Sequence, residues 1–162
     1  MWRKRLRGIL YAIVVLGGGC MTPGGSVAVD IEERVWSGPA ILSLNNDDTL
    51  ALYDVVLFMR CDPRFRNDTL TLRVELFTPD SLHFSEAFLF SPTGRAWPVS
   101  MLARLEELPP GMRAPVSLER EISAFYRRRV RFRRPGDYRF VITPCRHIEG
   151  VGAVGIHIES SK

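Results

Sequence analysis

Short runs in which apolar and polar side chains alternate constrain this chain more than any other feature. The clearest run is 69–77, where leucine and valine alternate with threonine, arginine and glutamate. A period of two places the apolar side chains on one face of a β-strand. The same kind of segment recurs, separated by turns rich in Asn, Asp, Pro and Gly, at 50–60, 82–90, 127–133, 138–143 and 154–159. We therefore expect an all-β fold, an antiparallel β-sandwich of Ig-like or jelly-roll-like type.

The predicted strands and turns leave few segments that could form helices. Segment 100–108 ends at two prolines, and segment 118–126 follows a possible N-terminal cap at Ser117. Serine favours that capping position, and a helix stops at proline. We expect at most these two short helices, and either segment could instead be a loop or a strand.

The N-terminus has the composition of a secretion signal. Four positive charges within the first seven residues precede the apolar run 9–16, and three glycines then lead to Cys20. The apolar run is far shorter than the roughly 20 residues that cross a bilayer as a helix. This order looks like a bacterial lipoprotein signal, in which the chain is cut before Cys20 and its thiol carries a diacylglycerol. Gly17 stands where such signals usually have leucine, and the alternative is ordinary cleavage that leaves Cys20 as a free thiol.

The signal also explains the basic charge of the chain. The whole sequence has 22 Lys and Arg against 18 Asp and Glu. The signal holds four of the positive charges and none of the negative ones, so 18 remain against 18. A neutral mature chain lacks the positive excess that nucleic-acid binding requires. We divide the chain into a signal peptide (1–19), a flexible tether (20–33) and a single β-sandwich domain (34–162).

Two cysteines remain once Cys20 is assigned to lipid. Cys61 and Cys145 each follow the end of a predicted strand. In an oxidising envelope compartment such a pair is a candidate disulfide. The alternative is two free thiols that behave as small apolar side chains.

The order of the strand and turn motifs resembles a known family. The segments that carry this resemblance are 57–60, 66–72, 88–97, 130–140 and 148–156. Together they resemble the gliding-motility lipoprotein H family of the Bacteroidetes, over residues 36–159. The arginine-rich strand and an insert at 101–115 depart from the family pattern.

The resemblance implies a function without catalysis. The chain would be an envelope lipoprotein that acts as a scaffold or accessory component of the gliding or type IX secretion machinery. Its partners would be the membrane and proteins of that machinery. The family supplies no catalytic residues, and we expect no cofactor, nucleic acid or small-molecule substrate. The first acid after Cys20 is Asp30, and this favours an anchor that faces the periplasm.

A second function remains open, a periplasmic or surface module that binds glycan or a secreted substrate. Sugars stack on aromatic side chains. Exposed aromatic residues lining a groove would favour this function, and the candidates are Trp36, Trp97 and Tyr126.

The most distinctive local feature is a run of arginines at 127–134. As a strand it would place four of them on one face, with Val130 and Phe132 pointing inward. These four are Arg127, Arg129, Arg131 and Arg133. They form either a solvated face that prevents edge-to-edge pairing or a docking strip for an anionic partner.

Three Asp-Ser/Thr-Leu tripeptides stand at turns that enter predicted strands. Their hydroxyl residues are Thr49, Thr69 and Ser81. Asp in such turns commonly accepts backbone hydrogen bonds. The tripeptide also resembles the O-glycosylation acceptor of the Bacteroidetes, so these three residues are candidate glycan acceptors.

Two other patterns are weak. Cys145, His147 and His157 could in principle hold zinc, although their spacing is not that of a usual zinc site. The glycines of 150–155 match a dinucleotide-loop pattern but lack a following helix. We interpret them as allowing a bulge or close packing in the last strand.

Overall fold

The computed structural model describes residues 24–92 and 119–162, and it consists almost entirely of antiparallel strands. A single 3₁₀ turn covers Glu32–Arg34. Within this part of the chain no helix is long and apolar enough to span a membrane. The strands are β1 (Ser26–Asp30), β2 (Val35–Trp36), β3 (Ala40–Asn46), β4 (Tyr53–Cys61), β5 (Leu70–Phe77), β6 (His83–Phe90), β7 (Arg120–Val130), β8 (Gly136–Pro144), β9 (Ile148–Glu149) and β10 (Val151–Ser160).

Two four-stranded sheets form a sandwich. The first sheet has the order β1-β10-β4-β7, and the second has the order β3-β8-β5-β6. A short ribbon of β2 and β9 lies beside them. Consequently β6 and β7, which are consecutive strands of the described chain, are edge strands of different sheets.

Inward-facing side chains of both sheets fill the space between them. The alternation of β5 buries Leu72 and Val74, while Arg73 stays exposed. β4 is apolar on both faces, as predicted, because it lies in the middle of its sheet. The predicted all-β sandwich is therefore confirmed. The largest fully buried side chains are Trp36, Phe58, Phe65, Phe90, Phe140, Leu42, Leu44, Leu57, Met59, Leu72, Ile142 and Ile156.

The alternative of a helix at 118–126 is wrong for the residues that the structure describes. Arg120–Val130 is one long strand, paired with β4 from Cys61 to Tyr53. Ile122 is buried and Ala124 packs against the core. The strand thus begins seven residues earlier than predicted and ends at Val130. The other candidate helix, 100–108, lies outside the described residues.

The predicted flexible tether is too long. Ser26–Asp30 lies inside segment 20–33, yet it is strand β1 and pairs with β10 from His157 to Ala153. Val27 and Val29 pack against the core. Their alternation with small or polar residues is the same period-two signal that identified the longer strands. The folded domain therefore includes Ser26–Asp30, which the prediction assigned to the tether.

Of the two alternatives for the remaining cysteines, a disulfide or two free thiols, the structure has the second, because Cys61 and Cys145 are both free. Cys61 ends β4 in the first sheet and is fully buried. Cys145 follows β8 in the second sheet and is exposed, with its backbone N–H donated to the Thr71 carbonyl. A bridge needs β-carbons about 3.5–4.5 Å apart, with the two side chains directed toward each other. Here one thiol points into the core and the other to solvent.

The glycines of the last strand serve packing, as predicted. Gly150 has φ of 80°, a conformation that other residues rarely adopt. A β-carbon on Gly155 would overlap the Phe58 ring and the Val27 carbonyl. The register with β4 shifts between Val151 and Ala153, so a bulge lies between them.

Candidate functional site

A cavity of about 360 Å³ lies between the two sheets beside their open edges. We call it the inner cavity. Its lining is mostly apolar, and among the described residues the polar ones at the cavity are Ser85, Glu86, Tyr126 and Arg127. The apolar residues that line it are Val55, Val74, Leu76, Phe84, Val130, Phe132 and Phe140.

Three of these polar side chains connect the sheets across the open edge. The Tyr126 hydroxyl donates a hydrogen bond to the Glu86 carboxylate. Arg127 Nη2 donates to Glu86 Oε1 at 2.6 Å, and its guanidinium carbon lies 4.8 Å from the centre of the Tyr126 ring. We call Glu86, Tyr126 and Arg127 the edge latch. Burial, followed by the hydrogen bond to Glu86 and its negative charge, raises the pKa of Tyr126.

A bulge in β7 brings two consecutive latch residues to the same side. Val56 pairs with Phe125, but the next residue back along β4, Val55, pairs with Arg127. Tyr126 is thus the extra residue of a bulge, a device that redirects side chains at sheet edges. Without the bulge, Arg127 would share the outer face with Phe125. With it, Arg127 lines the inner cavity.

Glu86 owes its position to strand parity. In β6 the residues that face inward pair with buried residues of β5, and Glu86 lies opposite Val74. An inward-pointing charge on an edge strand opposes pairing with another chain along that edge. Sequence reasoning missed this residue. A glutamate in the apolar register between Phe84 and Phe88 was the signal that could have identified it.

A second concavity, of about 650 Å³, lies on the outside around β7. We call it the outer groove. Leu89 is 62% exposed and Phe125 is 48% exposed there. The Arg128 guanidinium carbon lies 3.7 Å above the centre of the Phe125 ring, within the range of a cation–π contact. Aromatic residues and arginine are enriched at protein interfaces, and arginine is among the residues most often found at binding hot spots.

Polar groups on the outer groove come from the neighbouring strands. His157 on β10 contacts Glu121 Oε1 at 2.9 Å, and its ring stacks on Phe58 with centroids 4.1 Å apart. Ser123 and Glu159 also line the groove. These groups can accept and donate hydrogen bonds beside the apolar residues. Phe125 and Leu89 were not singled out as site residues from the sequence, since exposure depends on which strands lie at edges.

The arginine strip is not a single face. Arg127 turns to the inner cavity. Arg129 has a backbone φ of 55°, and its backbone N–H donates a hydrogen bond to Asp54 Oδ1 at 2.8 Å. Arg131 and Arg133 lie beyond the end of β7 and are exposed. The bulge and the end of the strand break the period of two on which the prediction rested. The inward orientation of Phe132 is confirmed, since it is buried and contacts Tyr53 and Tyr138; Val130 lines the inner cavity.

The aromatic residues proposed for sugar stacking are distributed differently from the expectation. Trp36 is buried and donates its indole N–H to the Gly38 carbonyl at 2.8 Å. Tyr126 belongs to the edge latch, and Trp97 lies outside the described residues. The aromatic side chain exposed on the outer groove is Phe125.

The candidate glycan acceptors lie at the surface, and their modification stays a prediction. Thr69 and Ser81 are exposed, whereas Thr49 is half-buried. The turn chemistry predicted for the tripeptides is present at Asp48, whose Oδ1 accepts the backbone N–H groups of Leu50 and Ala51 at 2.8 and 3.0 Å. These two bonds lower the pKa of Asp48.

No cluster of three or more His, Cys, Asp or Glu residues suited to a metal ion occurs within residues 24–92 and 119–162. Cys145 and His147 lie at the loop after β8 in the second sheet, whereas His157 lies on β10 in the first sheet. The weak zinc pattern of the sequence therefore combines residues that the fold separates.

No family model matches the chain, and no curated protein matches it. Among solved structures the chain is similar to a carbohydrate-binding module of the β-sandwich superfamily, at 10% identity and a TM-score of 0.29. The likeness covers 83% of this chain and 51% of the other, so the chain spans about half the length of that protein. At this TM-score the likeness does not bear on function.

Proposed function

We propose that this chain is a non-enzymatic, lipid-anchored envelope protein that docks a protein partner on its outer groove. The observation that carries the proposal is the pair of exposed apolar side chains, Leu89 and Phe125, in one concavity. Large exposed apolar groups gathered in one patch mark interaction sites on soluble domains. Arg128 above Phe125 adds a side chain that is common at the centre of such interfaces.

The fold relates this groove to the proposed lipid on Cys20. Ser26, the first residue of β1, pairs with His157, which pairs with Val56, which pairs with Phe125. Three strand spacings of about 4.8 Å therefore separate Ser26 from Phe125, or about 14 Å. Six residues from Cys20 to Ser26 reach at most about 21 Å. An anchor on Cys20 would thus hold the groove close to the membrane surface, where an envelope apparatus is assembled.

The machinery that the partner belongs to follows from the family resemblance. We propose that the chain is a scaffold or accessory component of the gliding or type IX secretion apparatus. A docking role for Arg131 and Arg133 remains a prediction. Two arginines of the run pair with acids, Arg127 with Glu86 and Arg134 with Asp80, so the arginine run as a whole is less positive than its sequence suggests.

A crosslinking pulldown from native membranes tests the proposal. It would compare the wild type with Cys20→Ser and with the double variant Leu89→Ser, Phe125→Ser. The matched control is Ile41→Ser, because Ile41 is 53% exposed on β3, the opposite edge of the second sheet. We expect gliding or secretion components with the wild type and the control, and their loss with the double variant. Unchanged recovery with the double variant would contradict the groove as the docking site.

The second candidate is a glycan-binding module, and one observation favours it. Beside Phe125 the outer groove carries Glu121, Ser123, His157 and Glu159, whose groups match the hydrogen-bonding hydroxyls of sugars. Recovery of envelope glycan without machinery proteins, again lost with Phe125→Ser, would support this function in place of the scaffold.

A further inference from the structure

The inner cavity has the features of a ligand site that neither proposed function uses. Its volume of about 360 Å³ exceeds twice that of an engineered apolar cavity of about 150 Å³ that binds benzene. Pockets with an apolar lining and a few convergent polar groups are the usual form of small-molecule sites. Phe84, which lines the cavity, is 55% exposed, so the cavity reaches the surface.

The deep part of the cavity is suited to an aliphatic chain. Val74 and Phe140 are buried and come from β5 and β8 of the second sheet, and Val55 is contributed by β4 of the first. Phe132 covers the cavity from the segment after β7. A hydrocarbon chain entering here would exchange water for apolar contacts on both sheets, which is favourable because apolar surface is removed from water.

The edge latch determines which head group such a chain can carry. Glu86 accepts from both Tyr126 and Arg127, so the guanidinium charge at the cavity is already matched by a carboxylate. An anionic head would lie beside the Glu86 carboxylate and compete with it for Arg127. A neutral head can donate to the carboxylate without displacing the ion pair.

We propose that the inner cavity binds one aliphatic chain that bears a neutral hydrogen-bonding head, such as an alcohol, and that Glu86 excludes the corresponding fatty-acid anion. The site is independent of the outer groove. Leu89 and Phe125, which carry the docking proposal, do not line the cavity. Failure of the docking proposal would therefore leave this one standing, and the reverse also holds.

The test compares 1-decanol with decanoate, two probes that share the chain and differ in the head. Isothermal titration calorimetry at pH 8 would use the predicted mature chain, from residue 20 onward, carrying Cys20→Ser, so that neither the apolar segment 9–16 nor a lipid calls for a detergent that competes for the cavity. We expect one site for 1-decanol and an affinity for decanoate that is lower by about tenfold or more, which is about 1.4 kcal/mol. Equal affinities, or decanoate binding more tightly, would overturn the proposed exclusion, and no binding of either probe would overturn the site.

Two kinds of variant locate the site. Glu86→Gln removes the competing carboxylate and frees Arg127, so the preference should reverse in favour of decanoate. Leu76→Trp should fill the cavity and abolish 1-decanol binding, and Val130→Phe provides a second filling variant if the first one fails to fold. Leu89→Ser is the matched control, since it lies in the outer groove. Binding that survives both filling variants in folded protein would place the ligand elsewhere.

Discussion

Asp62 allows the sharpest stability prediction, because its carboxylate is fully buried and surrounded by donors. It accepts from Arg64 Nη2 at 2.7 Å, from the Arg64 backbone N–H at 2.8 Å and from Arg34 Nη1 at 3.4 Å. Arg34 also pairs with Glu119. Asp62 thereby joins the end of β4 to the 3₁₀ turn. The perturbation is Asp62→Asn, which keeps the side-chain volume and removes the charge.

The expected loss follows from these contacts. Removing one partner of a buried ion pair costs about 3–5 kcal/mol. The side chains of Arg64 and Arg34 are 33% and 14% exposed, so water solvates part of the charge that is left behind. Arg34 keeps Glu119, and the asparagine oxygen can still accept the Arg64 backbone N–H. We therefore expect Asp62→Asn to lower the free energy of unfolding by about 2–3 kcal/mol at pH 7.

The pH dependence gives an independent check. Burial by itself raises the pKa of Asp62, but the hydrogen bonds from Arg64 and the positive charges of Arg64 and Arg34 outweigh it and lower the pKa. A lowered carboxyl pKa stabilises the fold above the unfolded value of about 3.9, and this stabilisation is lost as pH falls through the folded value. The difference between the wild type and Asp62→Asn should therefore shrink at acid pH.

Urea unfolding of the wild type and the variant at pH 7 and pH 3 measures both effects. Asp30→Asn serves as the control, because Asp30 is an exposed acid on β1, and it should change stability by less than about 0.5 kcal/mol. A loss below about 1 kcal/mol for Asp62→Asn at pH 7 would refute the reasoning from buried donors. A difference as large at pH 3 as at pH 7 would refute the role of the charge.

Three further predictions concern the backbone and the thiols. Cys145 should react with a thiol reagent in the native protein. Cys61 should react only after unfolding, because it is buried and burial raises its pKa. Protection of both thiols that is lost on reduction would indicate a bridge. Gly155→Ala should lower the free energy of unfolding by about 1–3 kcal/mol in a thermal unfolding experiment, since the methyl group would overlap the Phe58 ring. In a chain that also carries Phe58→Ala, Gly155→Ala should cost less. Arg129→Gly should raise the free energy of unfolding by up to about 1 kcal/mol, because Arg129 has a backbone φ of 55°. Arg129→Ala should give no such gain. Equal effects of the two substitutions would contradict the backbone explanation.

Patterns with a period of two determined the fold class and most strands without further information. The alternation of 69–77 and the apolar run of 50–60 both became strands within one to three residues of the predicted bounds. The same rule applied to Ser26–Asp30 would have found β1. That strand was missed because a small, turn-rich composition next to the predicted lipoprotein signal was interpreted as a tether.

The candidate site could not be predicted from the sequence, and the reason is geometric. Periodicity says which residues share a face of a strand but not which strands lie at an edge, and Phe125 and Leu89 are exposed because β6 and β7 are edges of different sheets. A bulge changes the parity of the residues that follow it, and here a second register shift, between Val55 and Tyr53, returns Val130 to the inward face. The bulge at Tyr126 turned Arg127 toward Glu86 and ended the predicted arginine strip.

Some features of this protein thus depend on local sequence, and others depend on the pairing of residues that are distant in the chain. The sequence by itself determined the fold class and most of the strands, and it predicts a neutral chain after the proposed signal, since each of these depends on neighbouring residues or on counting. Only the tertiary structure decided that Cys61 and Cys145 are apart, that Glu86 points into a cavity, and that the edge of the sandwich carries two concavities. These features depend on the order of strands in the sheets, which is set by the packing of residues distant in the chain.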